Sequence, residues 1–174
     1  MTKNVTTEQT QLIVDWSAVL WSGFLAAVLT LPVLFFIFPY AVNTDTNTII
    51  QYWSSLLLGV SVITIPASFS VSLALVACVV HIILTLVLTA FIASVFHRWG
   101  LVIGIAGGAL VGLCYYAINI YSVTYFFNWM FQLEGIWFLL FNLFTGALAG
   151  GLYEALEREQ WSDKKSAQLR GLPH

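Results

Sequence analysis

Residues 71–96, VSLALVACVVHIILTLVLTAFIASVF, are a run of 26 residues that contains no charged side chain. A helix of about 20 apolar residues crosses a hydrocarbon core roughly 30 Å thick. This stretch is therefore long enough to span a bilayer. Because His97, Arg98, Trp99 and Gly100 follow it directly, we place the end of the helix there.

Three other charge-free runs flank this stretch. The first run, 16–42, contains Pro32, which lacks an N–H and predicts a kink or a tilt. The remaining two runs follow the decisive stretch. Together the four runs predict transmembrane helices at about 14–40, 71–97, 101–125 and 136–157.

A shorter apolar segment at about 49–64 lies between the first and second predicted helices. It opens with Gln51, Tyr52 and Trp53 and closes before Pro66. Its length suits a helix in the membrane interface better than a spanning helix. The predicted fold is thus an all-α, integral membrane four-helix bundle with a short interfacial helix between helices one and two.

The composition excludes several classes of protein. Of 174 residues, 60% are apolar and 8% are charged, whereas soluble domains carry about 25% charged residues. With six Lys and Arg and a net charge of −2, the chain offers no basic face for nucleic acid. Two cysteines make neither a disulfide framework nor a zinc site. We expect one transmembrane domain over 1–160 and a cytoplasmic tail over 161–174.

The positive charges predict the orientation. In a four-helix topology the N-terminal segment, the turn between helices two and three, and the tail share one side of the membrane. All six basic residues fall on that side, and the loops 43–70 and 126–135 contain none. Since positive residues accumulate in the cytoplasm, both termini are predicted to be cytoplasmic. The basic residues are Lys3, Arg98, Arg158, Lys164, Lys165 and Arg170.

Aromatic residues near the helix ends fit the same topology. Tyrosine and tryptophan concentrate where hydrocarbon meets headgroups. Four of these residues mark the predicted cytoplasmic interface: Trp16, Trp99, Tyr153 and Trp161. Four others mark the opposite interface: Tyr40, Trp53, Trp129 and Trp137.

Glycines recur at four-residue spacing in the third and fourth helices. The third helix has Gly104, Gly108 and Gly112, and the fourth has Gly146 and Gly150. Such stripes allow helix backbones to approach closely in lipid. We expect them to pack against another helix inside the bundle. Self-association, or thin helix walls around a small pore, is the alternative.

His81 is the polar residue of greatest interest. It lies about ten positions into its helix, roughly 15 Å from the helix start and near the bilayer centre, where an ionisable residue indicates a function by default. It shares a helix face with Ala74, Cys78 and Thr85. Asn119 and Asn142 are expected at similar depths, and with Tyr115, Tyr116 and Thr145 they could form a polar pocket. The candidate polar cluster that we predict has five members: His81, Asn119, Asn142, Tyr116 and Thr85. No carboxylate lies at that depth, so we predict a neutral His81 that donates one hydrogen bond inside the protein and does not shuttle protons.

Sequence patterns for catalysis or cofactor binding are absent. No Ser-His-Asp set, buried carboxylate pair, phosphate loop or metal-ligand cluster is present, so no catalytic residue, metal or cofactor is predicted. A bundle haem usually needs two facing histidines. His81 and His97 are about 24 Å apart along one helix, which disfavours a haem within one chain. Cys78 and Cys114 are expected to be packing residues.

Between residues 80 and 153 the chain resembles a family of small four-helix bacterial inner-membrane proteins of unknown function. The shared residues are Val80, His81, Arg98, Tyr116 to Tyr121 (YAINIY), Thr124, Phe127, Trp129, Phe144, Gly146 and Tyr153. Members are sometimes labelled sodium:proline symporter, although four helices are too few for the inverted repeats of such symporters. Family members often have proline before the aromatic residue at 129 and histidine near 142. This chain has Asn128 and Asn142 instead, which argues against a histidine-based mechanism.

Taken together, the sequence favours a non-enzymatic, multi-pass protein of the bacterial inner membrane, serving as a small bundle or an accessory subunit. Its expected partners are the lipid bilayer and a second copy or another membrane subunit, and not nucleic acid. A small transport component with a polar path at His81, Asn119 and Asn142 is the first alternative. A membrane haem or redox protein is the second.

Overall fold

A computed structural model describes residues 14–96 and 99–157. Within these ranges every regular element is helical, and four helices are long and apolar enough to span a membrane. The predicted all-α, four-helix membrane fold is thereby confirmed. The elements are α1 (Trp16–Ala41), α2 (Thr46–Leu58), α3 (Val71–Phe96), α4 (Leu101–Phe126) and α5 (Ile136–Leu156).

The spanning helices follow the four predicted runs closely. Helix α1 begins two residues later than expected, and each of the other predicted ends differs by no more than one residue. His97, the tail 161–174 and all six Lys and Arg residues lie outside the described residues. The charge distribution that predicts the orientation therefore rests on sequence alone.

The four spanning helices pack around a shared centre. Helix α1 contacts α3 and α5, and α4 contacts the same two helices from the other side. Helices α3 and α5 also contact each other. Many large apolar side chains of the spanning helices are exposed, as expected for a surface that faces lipid. The centre of the bundle is thus built mainly by α3 and α5.

Pro32 does not end helix α1. The helix passes through it into a π-helical turn, Val33–Ile37, and resumes as α-helix to Ala41. A proline has no N–H and its ring crowds the carbonyl four residues earlier, so Pro39 affects Phe35 within the π turn. The Phe35 carbonyl accepts from Thr46 Oγ1 at 3.0 Å instead. The predicted irregularity therefore takes the form of a π turn between Pro32 and Pro39. A second π turn, Asn119–Val123 in α4, contains no proline.

The segment predicted to be interfacial forms a shorter and more deeply packed helix than expected. Helix α2 covers Thr46–Leu58 rather than 49–64, because Gly59 ends it with a φ of 86°. This backbone conformation favours glycine. Every residue from Ile49 to Ser55 is buried, against α3 and the π turn of α1. Helix α2 therefore closes one end of the bundle, which we call the α2 end.

The two segments without positive charge meet at the α2 end. Tyr52 donates a 2.5 Å hydrogen bond to Gln132 Oε1, and Trp129 Nε1 donates a 2.8 Å bond to Ser55 Oγ. Burial raises the pKa of the Tyr52 phenol, which keeps the donor protonated. Gln132 and Trp129 belong to the 3₁₀ turn Asn128–Leu133. Both loops thus lie at the same end of the bundle, as four spans require.

Two of the residues assigned to aromatic belts are buried instead. Trp53 is 3% exposed and packs edge-on against Phe138. Tyr153 is fully buried, and its hydroxyl donates to Glu157 at 3.1 Å. Both side chains fill the ends of the core: Trp53 packs from α2 against α5, and Tyr153 packs against Ala18 and Val19 at the start of α1.

Candidate functional site

The glycines of α4 and α5 face each other directly. A methyl group placed on Gly108 would collide with the carbonyl oxygen of Gly146, and one placed on Gly146 would lie 2.9 Å from Gly112 Cα. A methyl group on Gly150 would likewise strike the Gly104 carbonyl. We call this backbone-to-backbone contact the glycine seam. It leaves no room for a pore between these two helices.

His81 lies on α3, is 3% exposed and contacts α1. Its Nε2 and the Thr30 Oγ1 share a 2.8 Å hydrogen bond, in which the donor depends on the imidazole tautomer. The ring also packs against Phe141 at a centroid distance of 6.0 Å. An imidazole in lipid needs such a partner, since leaving it unsatisfied is costly. Sequence reasoning missed Thr30, because a threonine in an apolar helix usually bonds its own backbone.

The hydroxyl groups near His81 do follow that usual pattern. Thr85 donates to the carbonyl of His81, and Thr145 donates to that of Phe141, each at 2.8 Å. Thr30 itself lies 2.8 Å from the carbonyl of Ala26. These bonds stay within one helix, four residues back. The hydroxyl groups of this site therefore form much of their hydrogen bonding within their own helices.

Six polar side chains line one small cavity in the bundle. Its volume is about 30 Å³, which accommodates about one water molecule. Four of the five residues predicted as a polar cluster lie here, together with Tyr115 and Thr145. Apolar side chains of Leu84, Leu88 and Phe141 complete the wall. The polar lining residues are His81, Thr85, Tyr115, Asn119, Asn142 and Thr145.

Tyr116, the fifth predicted member, does not line this cavity. It points towards the α2 end, where its ring packs against Phe138 and its hydroxyl accepts from the Gly135 N–H at 3.3 Å. Its neighbour Tyr115 takes the place beside His81. One helix position changes direction by about 100°, so adjacent tyrosines cannot share a face.

Asn142 and Tyr115, which both line the small cavity, differ in their hydrogen bonding. Asn142 donates to the carbonyl of Phe138 at 2.7 Å. The Tyr115 hydroxyl is buried beside Asn119 but forms no hydrogen bond of good geometry with any described residue. The Tyr115 hydroxyl is therefore able to form a further hydrogen bond inside the cavity, close to the start of the π turn of α4.

Asn119 also lines a second and larger cavity. This one has a volume of about 300 Å³ and lies between α3 and α4, below the end of α2. Its other lining residues are apolar, among them Val80, Leu84 and Met130. Asn119 thus stands between a small polar cavity and a large apolar one. We call the larger one the lateral cavity.

At the opposite end of the bundle, Glu154 forms a contact that the sequence did not reveal. Its carboxylate accepts from the N–H groups of Trp99 and Gly100, at 3.2 and 3.0 Å. These groups begin α4, where unpaired N–H donors and the helix dipole favour an anion. Glu154 therefore ties the start of α4 to the end of α5.

Among the described residues, no three His, Cys, Asp or Glu side chains lie close enough together to hold a metal ion. Cys78 and Cys114 are both free thiols on different helices.

Comparison of the chain with protein-family models, with curated proteins and with solved structures finds no match in any of the three. The resemblance drawn from residues 80–153 therefore stays a prediction.

Proposed function

We propose that this protein is a non-enzymatic membrane protein that works by binding, as an accessory subunit within the bilayer. The observation that carries the proposal is the hydrogen bond between His81 and Thr30. Through this hydrogen bond the imidazole of His81 holds α3 against α1. A histidine committed in this way supports the bundle and does not need to take part in proton transfer.

The glycine seam supports the same proposal. Contact between backbones fixes α4 against α5 along about two and a half turns of each helix. A bundle fixed in this way presents constant lipid-facing surfaces, which suits a subunit that docks against another membrane protein. We further propose that the protein resides in a bacterial inner membrane, with both termini in the cytoplasm.

Site-specific crosslinking tests the accessory role. A photoreactive amino acid is placed at Phe36, Val102 and Leu110, which are exposed apolar positions, and at the buried Leu88 as a control. We expect protein adducts from one lipid-facing surface and none from Leu88. Adducts to lipid alone from every exposed position would overturn the accessory role.

Cysteine labelling tests the proposed orientation. Cys78 and Cys114 are first replaced by alanine, and single cysteines are then introduced in 43–48 or 163–170. An impermeant maleimide added outside the cell should label only the first group. Labelling of the second group alone would reverse the topology.

A transport component is the second candidate, because Asn119 borders both cavities. Proton flux is measured in proteoliposomes containing the wild type, His81→Ala or His81→Phe. We expect no flux above empty liposomes from any of them. Wild-type flux that is lost in a stably folded His81→Phe variant would establish the transport function instead.

The haem alternative has a direct test as well. A Soret band that copurifies with the protein would support it, and purified protein without that absorption would remove it.

A further inference from the structure

The lateral cavity opens towards lipid. Two of its lining residues, Leu57 and Ile83, are 64% and 52% exposed. Ile83 belongs to the spanning helix α3, so the opening lies beside the hydrocarbon region of the membrane. Molecules already dissolved in the bilayer can therefore reach this cavity without crossing water.

The dimensions of the lateral cavity suit a small ligand. Its volume of about 300 Å³ is at the lower end of the range for ligand sites. If each non-hydrogen atom fills about as much space as a water molecule, roughly 30 Å³, the cavity accommodates about ten such atoms. Ligand sites are typically apolar with a few polar groups that fix orientation. Here Asn119 is the polar group.

Asn119 has hydrogen-bonding capacity to offer. A side-chain amide carries two N–H donors and a carbonyl acceptor. Among the polar side chains that share the small cavity with Asn119, Tyr115 has no hydrogen bond of good geometry with any described residue. Thr85, Asn142 and Thr145 donate to backbone carbonyls instead of to the amide. A ligand oxygen at the inner end of the lateral cavity would supply a partner.

The charges around the cavity select the kind of ligand. Every residue that lines the cavity is uncharged. Among the described residues, a phosphate, carboxylate or ammonium group would therefore find no opposite charge in its wall, at a high desolvation cost. A neutral hydroxyl or carbonyl oxygen carries a much smaller cost and matches the amide.

We propose that the lateral cavity binds a neutral lipophile with a single hydroxyl or carbonyl group. Its apolar body of about ten atoms lies against α2, α3 and α4, and its oxygen hydrogen-bonds to Asn119. This inference is independent of the accessory role, since it requires only that the spanning helices lie in a membrane.

Photolabelling of the full-length protein in phospholipid nanodiscs tests the proposal. The probe is a ten-carbon primary alcohol that carries a diazirine, and modified residues are mapped by mass spectrometry. We expect saturable labelling of lining residues such as Leu84 and Met130. Unlabelled 1-decanol should compete, and n-decane at the same membrane concentration should compete roughly five- to tenfold less, because it lacks the oxygen.

Two pairs of variants, each with a control outside the cavity, test whether the probe binds in the lateral cavity and contacts Asn119. Asn119→Leu removes the amide at similar volume and should weaken labelling by about five- to tenfold. Asn128→Leu makes the same change at an exposed position outside the cavity and should leave labelling unchanged. Leu84→Trp fills the cavity and should abolish labelling, whereas Val87→Trp on the lipid-facing side of α3 should not.

Two results would overturn the proposal. If decane competes as well as decanol on the wild type, the cavity only takes up hydrocarbon chains. If Asn119→Leu binds the probe like the wild type, the amide does not recognise the oxygen. The comparison of the two competitors needs no variant, so it stays decisive even if Asn119→Leu fails to fold.

Discussion

The two sides of helix α4 pack in opposite ways. Towards α5, Gly104, Gly108 and Gly112 bring the backbones into direct contact. Towards α3, Tyr115, Asn119 and their neighbours hold the helices apart, and two cavities lie there. The same helix therefore forms the tightest contact in the bundle and a wall of its most open region.

This difference shows what sets the distance between helices in a membrane. Lipid tails are as apolar as the side chains, so helices associate through close packing and hydrogen bonds rather than through hydrophobic burial. Glycine maximises close packing. Where large side chains stand in place of glycine, hydrogen bonds between helices, such as that between His81 and Thr30, hold the helices together.

The largest effect is expected from a large side chain in the glycine seam. Gly108→Leu, and equally Gly112→Leu, should lower the free energy of unfolding by about 3 kcal/mol, the upper end for overpacking, because the obstacle is backbone. Reversible unfolding in mixed micelles measures the loss. Ala106→Leu on the exposed side of α4 is the control. An unchanged unfolding free energy in Gly108→Leu would disprove the seam.

Alanine sharpens the same test. In a helix, Gly→Ala normally stabilises by up to about 1 kcal/mol. Gly108→Ala should instead destabilise, since its methyl group meets the Gly146 carbonyl. Gly107→Ala should be better tolerated, because its methyl group meets only the Phe96 ring, which can shift. Equal effects in the two variants would contradict the asymmetry of α4.

The next largest effect is expected at His81. His81→Ala should lower the free energy of unfolding by about 2 kcal/mol, because it leaves a void and removes the bond to Thr30. His81→Phe restores the volume and should recover more than half of the loss. Thermal unfolding in detergent measures both variants. Equal stability of His81→Ala and the wild type would show that the imidazole does not support the fold.

A smaller and more local effect is expected at the α2 end. Gln51 is 1% exposed, accepts from the Thr64 N–H at 2.9 Å, and donates to Thr64 Oγ1 and the Ser68 carbonyl. Gln51→Leu should cost about 1–2 kcal/mol. Hydrogen exchange at the Thr64 amide should accelerate, while amides in the middle of α3 stay protected. Unchanged exchange at Thr64 would show that this loop is held by other contacts.

The smallest effect is the coupling between Thr30 and His81. A double-mutant cycle with Thr30→Val and His81→Phe should give about 0.6 kcal/mol, the average for hydrogen bonds between membrane helices. The four unfolding free energies are measured in one detergent. A coupling of zero would assign the stabilising effect of His81 to packing alone.

Much of the fold could be predicted because its signals are local. Charge-free runs of about 20 residues place the spanning helices, and their ends agree with the structure to within two residues. The four-residue spacing of glycines places them on one face of α4. The end of α2 was harder to predict, because apolar residues continue past Gly59 and only its φ of 86° stops the helix.

The candidate site was only partly predictable. Depth and helical spacing are sufficient to group His81 with Asn119, Asn142 and Thr85, which line one cavity. They do not by themselves choose between Tyr115 and Tyr116. The glycine spacing does, because Tyr116 lies four residues after Gly112, on the seam side of α4, where it packs against Phe138. The two residues differ by about 100° in direction.

By itself, the sequence determined that this chain is a helical membrane protein, because hydropathy and length decide which segments can leave water. Only the tertiary structure decided that Thr30 bonds His81, that Glu154 caps α4, and that Asn119 borders two cavities. These contacts join residues far apart in the chain. Their physical basis is the relative rotation and distance of packed helices, which no single segment encodes.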